Sequence, residues 1–317
     1  MNVRIFLHLI GLSLLWGPAF LYLNVAVREI PPLTVAAVRV SQAALILLLL
    51  LKQQGRSLPH IGTSWKHFAF TGLTYNALPF FLVGWGQQYI DSALAAILIG
   101  ATPLFTMLLA QLFRADENLN RQKLVGVVVG FSGVILLFML GLLAGVQLTI
   151  WGMMATLAGA ASYGAAFVYS RQNLRGLPPL VGPTAQLMMA SLYLVPLALV
   201  IEKPYTLPLP STMAVIALLL LVLPSTVLAF VIYYRLMEQT NATTLSLVTY
   251  LNPIVATVLG VWVLHEPLGW HVYLGCGSIL LGDTAVNGLS LSRLWQAADE
   301  MFGRFGAAGL LHYEVKR

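Results

Sequence analysis

Long apolar stretches separated by short breaks decide what this chain can fold into. They run over residues 5–27, 33–51, 67–88, 92–113, 123–143, 149–170, 180–201, 212–236, 242–264 and 269–288. About 20 mainly apolar residues in a helix cross the hydrocarbon core of a bilayer. Lipid offers backbone N–H and C=O groups no partner outside a helix or a closed barrel. Runs such as Leu45 to Leu51 do not alternate, which argues against a barrel. All ten stretches therefore read as transmembrane helices. The longest connection, Lys52 to Lys66, is too short for a separate soluble domain. Composition agrees, with 59% hydrophobic and 9% charged residues in 317, where soluble domains carry about 25% charged. A soluble enzyme and a nucleic-acid binder are both disfavoured. Arg4 and the apolar run after it look like a signal peptide. The run ends in Asn24 to Glu29 without a clear small-residue cleavage site, however, and reads as a retained span.

The formal net charge of +6 finds its meaning in where the cations lie. A cytoplasmic N-terminus puts Arg4, Lys52, Arg56, Lys66, Arg114, Arg121, Lys123, Arg171, Arg175 and Arg235 on the inner side, against Arg28 and Lys203 outside. That bias follows the positive-inside rule. It also puts both termini in the cytoplasm, as an even number of spans requires. The tail, 289–317, repeats apolar residues at three- and four-residue spacing. It reads either as a helix lying on the inner membrane surface or as a tail with no part in the mechanism. The single cysteine, Cys276, rules out an intramolecular disulfide and reads as a packing residue.

Shifted by 147 residues, the chain matches itself. Trp16-Gly-Pro-Ala-Phe-Leu-Tyr22 aligns with Tyr163-Gly-Ala-Ala-Phe-Val-Tyr169, and the register holds through Arg28/Arg175 and Pro31-Pro32-Leu33/Pro178-Pro179-Leu180. From Trp16 to Leu50 there are 12 identities in 35 positions. Further along, Thr102-Pro103 matches Asn252-Pro253, and Glu117-Asn-Leu119 matches Glu266-Pro-Leu268. The chain is a duplicated five-span unit, 5–143 and 149–288. Five is odd, so the second copy must cross the membrane in the opposite sense. The expected fold is an all-α polytopic membrane protein, with ten transmembrane helices in two inverted five-helix repeats. Such repeats underlie many secondary transporters, with the substrate near the midplane between the halves.

The duplicated unit, the Trp16-Gly-x-x-Phe20 opening, Pro31-Pro32-Leu33, the intramembrane Arg39, the Pro103/Pro253 pair and the Glu117-x-Leu/Glu266-Pro-Leu turns carry a resemblance. Together they resemble the EamA-type branch of the drug/metabolite transporter superfamily, over residues 5 to 288. The nearest likeness is to its bacterial exporters of aromatic amino acids. That resemblance implies a multi-pass protein of the bacterial inner membrane exporting amino acids or related metabolites. The four-helix multidrug members carry a membrane glutamate in their first helix. This chain has none between Ile5 and Val27, so their proton exchange is not implied.

Arg39 leads the candidate site. It lies about 9 Å into its span at 1.5 Å per residue, where an arginine costs roughly 2.5–3.5 kcal/mol. It reads as a bidentate lure for a substrate carboxylate, or else as a side chain that snorkels or ties two helices together. Its repeat mate is Gln186. Trp16, Tyr75, Asn76, Tyr163, Gln186, Tyr250 and Asn252 lie closer to mid-span, so they either contact substrate or bridge helices. Tyr22, Trp85, Gln87, Gln88, Tyr169, Tyr233 and Tyr234 lie near span ends and read as interfacial belt residues.

Mid-span prolines mark candidate hinges: Pro79, Pro103, Pro224 and Pro253, with Pro18 and Pro196 beside them. Thr102 and Asn252 stand ready to bond carbonyls freed by the paired Pro103 and Pro253. Glu117 and Glu266 sit at turns where a carboxylate caps helix N-termini. Gly126-x-x-x-Gly130 reads as a contact face, within the bundle or in a dimer. Asn241-Ala-Thr243 fits a glycosylation triplet but falls in a cytoplasmic turn. No cofactor is called for, since the histidines lack metal-ligand spacing. The expected partners are a small-molecule substrate and the lipid bilayer, with no nucleic acid, in a monomer or weak dimer. An intramembrane enzyme would need paired aspartates or His-Glu-x-x-His, and only Asp283 lies in the membrane. A channel or assembly subunit is disfavoured by the mid-span prolines and the unequal halves.

Overall fold

Wherever the sequence is apolar without interruption, the backbone closes its hydrogen bonds on itself as helix. The computed structural model describes residues 3–60, 62–113, 121–143, 147–174, 176–239, 242–266 and 268–286, and among them there is no strand. The helices of the first half are α1 (Val3–Val27), α2 (Pro32–Gln53), α3 (Thr63–Thr71), α4 (Leu78–Gly86), α5 (Ser92–Gly100), α6 (Thr102–Leu112) and α7 (Arg121–Leu143). The second half has α8 (Gln147–Asn173), α9 (Val181–Leu197), α10 (Thr212–Val222), α11 (Ala229–Gln239), α12 (Ala242–Val263) and α13 (Trp270–Val286). Among the described residues, six helical segments are long and apolar enough to cross a membrane by length and composition. Glu117, Asn241 and the 289–317 tail lie outside the described residues.

Prolines reshape these helices in two ways. Pro79 follows a π-helical turn at Gly72–Ala77 that joins α3 to α4, and Pro224 lies in a second such turn, Leu223–Leu228, joining α10 to α11. A proline lacks the N–H that would satisfy an earlier carbonyl, and widening the ring to i→i+5 relieves the crowding. Leu78 N–H accordingly donates to Leu73, five residues back. The two turns occupy corresponding places in the halves. Pro103 acts differently, for it sits in the first turn of α6 after a break at Ala101, where its missing N–H costs nothing. The Thr102 hydroxyl donates to the Ile99 carbonyl at 2.7 Å. α12, by contrast, runs straight through Pro253. Its ring packs beside Gly100, where a Cβ would lie 3.4 Å from the proline Cγ.

Close backbone approach holds the helices together. A Cβ on Gly126 would stand 2.7 Å from the Gly282 carbonyl oxygen, and one on Gly282 would stand 2.5 Å from that of Gly126. Gly133 meets Gly275 the same way, so α7 and α13 touch along glycine faces. The Gly126-x-x-x-Gly130 face is thus used inside the bundle. Gly17 of α1 packs on Val255 and Ala256 of α12, while Gly164 of α8 packs on Phe105 and Thr106 of α6. These contacts join residues that correspond under the sequence repeat. The larger packings follow suit: α1 lies on α12 and α8 on α6, while α2 pairs with α9 and α7 with α13.

One end of the bundle is stitched by carboxylates, each reaching from one half to the other. Glu202 accepts from the N–H groups of Leu33 and Thr34 at 2.9 and 2.7 Å, capping α2. Glu266 accepts from Ser92 and Ala93 N–H at 2.8 and 3.0 Å, so it caps the distant α5. Glu29 accepts from Ser211, the N-cap of α10, through its N–H at 2.7 Å and its hydroxyl at 2.6 Å. Each places a negative charge at the positive end of a helix.

Gly282→Ala puts a methyl group into the α7 backbone and should lower the thermal stability of the purified protein by about 1–3 kcal/mol. Gly277→Ala, with nothing within 4 Å of its added carbon, should be neutral or slightly stabilising in the same unfolding measurement. For Glu29, hydrogen bonds from the Ser211 side chain and backbone hold the carboxyl below the usual carboxylate range. Its folded value is the lower one, so this clasp stabilises the fold at neutral pH and is lost as pH falls through the depressed carboxylate range. Unfolding followed from about pH 7 to pH 3 should show a shallower acid limb in Glu29→Gln than in wild type.

Candidate functional site

The site begins with the cost of placing an arginine inside the membrane. Arg39 projects from the first half of α2 and is 8% exposed. Its Nε donates to the Thr226 hydroxyl at 2.9 Å. That hydroxyl in turn donates to the Leu221 carbonyl at 2.8 Å, within the π turn that Pro224 produces. The guanidinium carbon lies 3.9 Å from the centroid of the Phe80 ring, a cation–π contact that compensates part of the lost hydration. Among the described residues Nε makes the guanidinium's only hydrogen bond, and Tyr163 is the one titratable group in electrostatic reach. The bidentate edge of Nη1 and Nη2 is left open.

Aromatic rings from both halves pack on the same core as Phe80. Tyr75 lies edge-on to Tyr163 with centroids 5.4 Å apart, and to Phe167 at 5.3 Å. Trp16 meets Tyr233 at 5.3 Å, and Tyr233 meets Tyr234 at 5.4 Å. Trp16, Tyr75, Tyr163 and Tyr234 all pack on the same core cluster of α2 and α9. The two π turns converge here: one presents Tyr75, the other Thr226. The Ser162 hydroxyl donates to the Thr74 carbonyl at 2.7 Å, taking up an acceptor that Pro79 cannot satisfy.

Of the residues singled out from sequence, Arg39, Trp16, Tyr75 and Tyr163 belong to this constellation. Gln186 is buried in α9, with its backbone carbonyl against Gly72 at the start of the first π turn. Asn76 is fully buried, and neither atom of its amide has a hydrogen-bond partner. Asn252 likewise has an unpartnered amide oxygen. No hydrogen bond links these two to Arg39. The side chain of Tyr250 lies outside the described residues. Pro79 and Pro224 lie at the π turns that shape the site, whereas Pro103 and Pro253 lie at the α6 start and in α12. Asp283 is buried in α13 beside Gly282, on the helix packed against α7.

Tyr233 and Tyr234, read as belt residues, stand against Trp16 and each other. Gln87, also read as belt, is 3% exposed. Phe80 and Thr226 were missed. The repeat carried a usable signal for Thr226, since the matching π turns set it level with Tyr75 at a shift of 151. Among the described residues no group of three or more His, Cys, Asp or Glu side chains could hold a metal.

A sequence model described as the EamA-like transporter family matches residues 4–139 and again 150–287. The chain belongs to this family. With its apolar helices, this makes it a polytopic membrane transporter. It is 26% identical to the uncharacterized transporter YoaV of Bacillus subtilis over 88% of this chain and 95% of that protein. The uncharacterized inner membrane transporter YedA of Escherichia coli K12 is 28% identical, over 86% and 87%. Protein PecM of Dickeya dadantii is 25% identical, over 87% and 90%. A chain of known crystal structure shares the fold with a TM-score of 0.62 at 21% identity, over 90% of this chain and 96% of that one.

The Arg39–Thr226 bond makes a prediction of its own. Thr226→Val removes the acceptor of a buried charged donor and should cost about 1–3 kcal/mol of thermal stability. In a double-mutant cycle, adding Thr226→Val to Arg39→Gln should cost measurably less than adding it to wild type.

Proposed function

We propose that this transporter exports small carboxylate-bearing metabolites, with apolar or aromatic amino acids as the best-fitting class. Export proceeds from the cytoplasm across the bacterial inner membrane. The observation that carries the reading is the bidentate edge of Arg39, which makes no hydrogen bond among the described residues, buried against Phe80 and near Tyr163. A carboxylate matches that fork in shape and charge, and the aromatic rings suit an apolar side chain. The charge bias of the loops supports cytoplasmic termini.

Translocation in this reading is alternating access between two inverted five-helix halves, ten spans in all. Matching π turns, matching glycine contacts and the doubled family match all support that arrangement. The carboxylate clasps of Glu29, Glu202 and Glu266 tie the halves at the Arg28 end. They would have to release when the site opens there. Pro79 and Pro224, beside the site, are the bending points, and Pro103 and Pro253 lie at matching depth farther along.

Purified protein in liposomes, offered each of the twenty amino acids, tests the proposal. At least one should show counterflow, in which substrate loaded on the far side accelerates uptake. Arg39→Gln should raise its half-saturating concentration about 10- to 100-fold, as expected for loss of a charge-assisted bidentate contact. Arg39→Lys should restore only part, since a point charge lacks the fork. Unchanged affinity in Arg39→Gln would overturn the carboxylate site, and uptake without counterflow would indicate a pore.

A further inference from the structure

A polar cavity lies at the Arg28 end of the bundle, between the C-terminus of α1 and the turn from α4 to α5. It has a volume of about 420 Å³ and is lined by Asn24, Val27, Arg28 and residues 87–91, within the range of small-ligand sites. Its two charged walls are opposite in sign. Arg28 donates from Nη2 to the Asn24 amide oxygen at 2.9 Å, and Asn24 donates to the Gln87 carbonyl at 3.3 Å, a chain that orients the guanidinium toward the cavity rim. Asp91 stands across from it at the N-cap of α5, yet its side chain makes no capping bond. Glu266 has taken the N–H of Ala93, one of the two that an N-cap aspartate ordinarily satisfies, together with that of Ser92.

The Asp91 side chain, which makes no capping bond, is exposed and lines the cavity. Partial desolvation and the neighbouring Glu266 push its carboxyl above the usual range, with Arg28 drawing it back. Arg28 and Asp91 sense each other but form no ion pair. A further donor and acceptor wait in Gln87, which is 3% exposed and whose amide nitrogen and oxygen both lack a partner.

We propose that this cavity is a binding site for a zwitterionic α-amino acid, with the carboxylate on Arg28 and the ammonium group on Asp91. Opposite charges held apart across a cavity are matched by a molecule carrying both charges on adjacent atoms. Neither a simple anion nor a simple amine pairs both walls. The site rests on its own residues, separate from Arg39, and serves as a station at the mouth of the transport path.

Labelling of a cysteine in the wall tests this without requiring transport. Gln88 is exposed and lines the cavity, so Gln88→Cys in a Cys276→Ser background gives a single thiol there. Maleimide labelling of this protein in detergent is timed with each proteinogenic amino acid other than cysteine. At least one should slow the reaction several-fold. Arg28→Gln and Asp91→Asn should each raise the protecting concentration about tenfold or more, as for a lost charged hydrogen bond. Arg39→Gln should leave protection intact. The site is overturned if no amino acid protects, if protection survives both wall substitutions, or if it vanishes with Arg39→Gln. Because no translocation is involved, failure of the liposome assay and failure here are separate results.

Discussion

Inside hydrocarbon, a polar group has only the rest of the protein to bond with, and the arrangement of this bundle follows from that. Pro79 and Pro224 each remove a backbone donor from the middle of a long helix. The chain answers with wider turns, and the Ser162 hydroxyl takes up the Thr74 carbonyl ahead of Pro79. The placement of the two turns has the wider effect. They put Tyr75 and Thr226 at one level, facing the interior from opposite halves, and so define where a polar pocket can exist in an otherwise apolar interior.

Arg39 answers to the same constraint from the other direction. A guanidinium cannot stay buried without partners, and the second π turn supplies one in Thr226 while Phe80 supplies a ring face. These two contacts hold the charge in place without using its bidentate edge. Elsewhere small residues bring backbone against backbone, as at Gly126 and Gly282. Carboxylates on helix N-termini tie the halves at the Arg28 end, while hydrogen bonds of Ser162 with Thr74, Tyr193 with Ala69 and His67 with Tyr169 join them farther along.

Much of this was legible along the chain because it depends on local composition or on matching one stretch with another. The helical segments followed from apolar length, the duplication from Gly17, Phe20, Tyr22 and the double proline, and the importance of Arg39 from its depth. The site's remaining members were less visible. Tyr233 and Tyr234 look like belt residues to any rule that measures distance from a span end, yet they stand against Trp16 and each other. Phe80 is one phenylalanine among 14, and nothing in its neighbourhood marks it as the ring under a guanidinium. Pro103 and Pro253 look equivalent in sequence. They differ in the structure, where one ring lies within an unbroken helix and the other begins a new helix.

By itself, the sequence determined that this chain must be helical and apolar-faced, that it is built twice from one unit, and that one cation lies deep within it. Hydrophobic length and internal matching are properties of the chain, so they can be read without knowing who neighbours whom. The tertiary structure decided pairings. It chose Thr226 rather than a carboxylate for Arg39, α13 rather than another copy for the Gly126 face, and α5 rather than the neighbouring α13 for Glu266. Each choice joins residues more than a hundred positions apart, and such partners are selected by packing geometry, which no local pattern encodes.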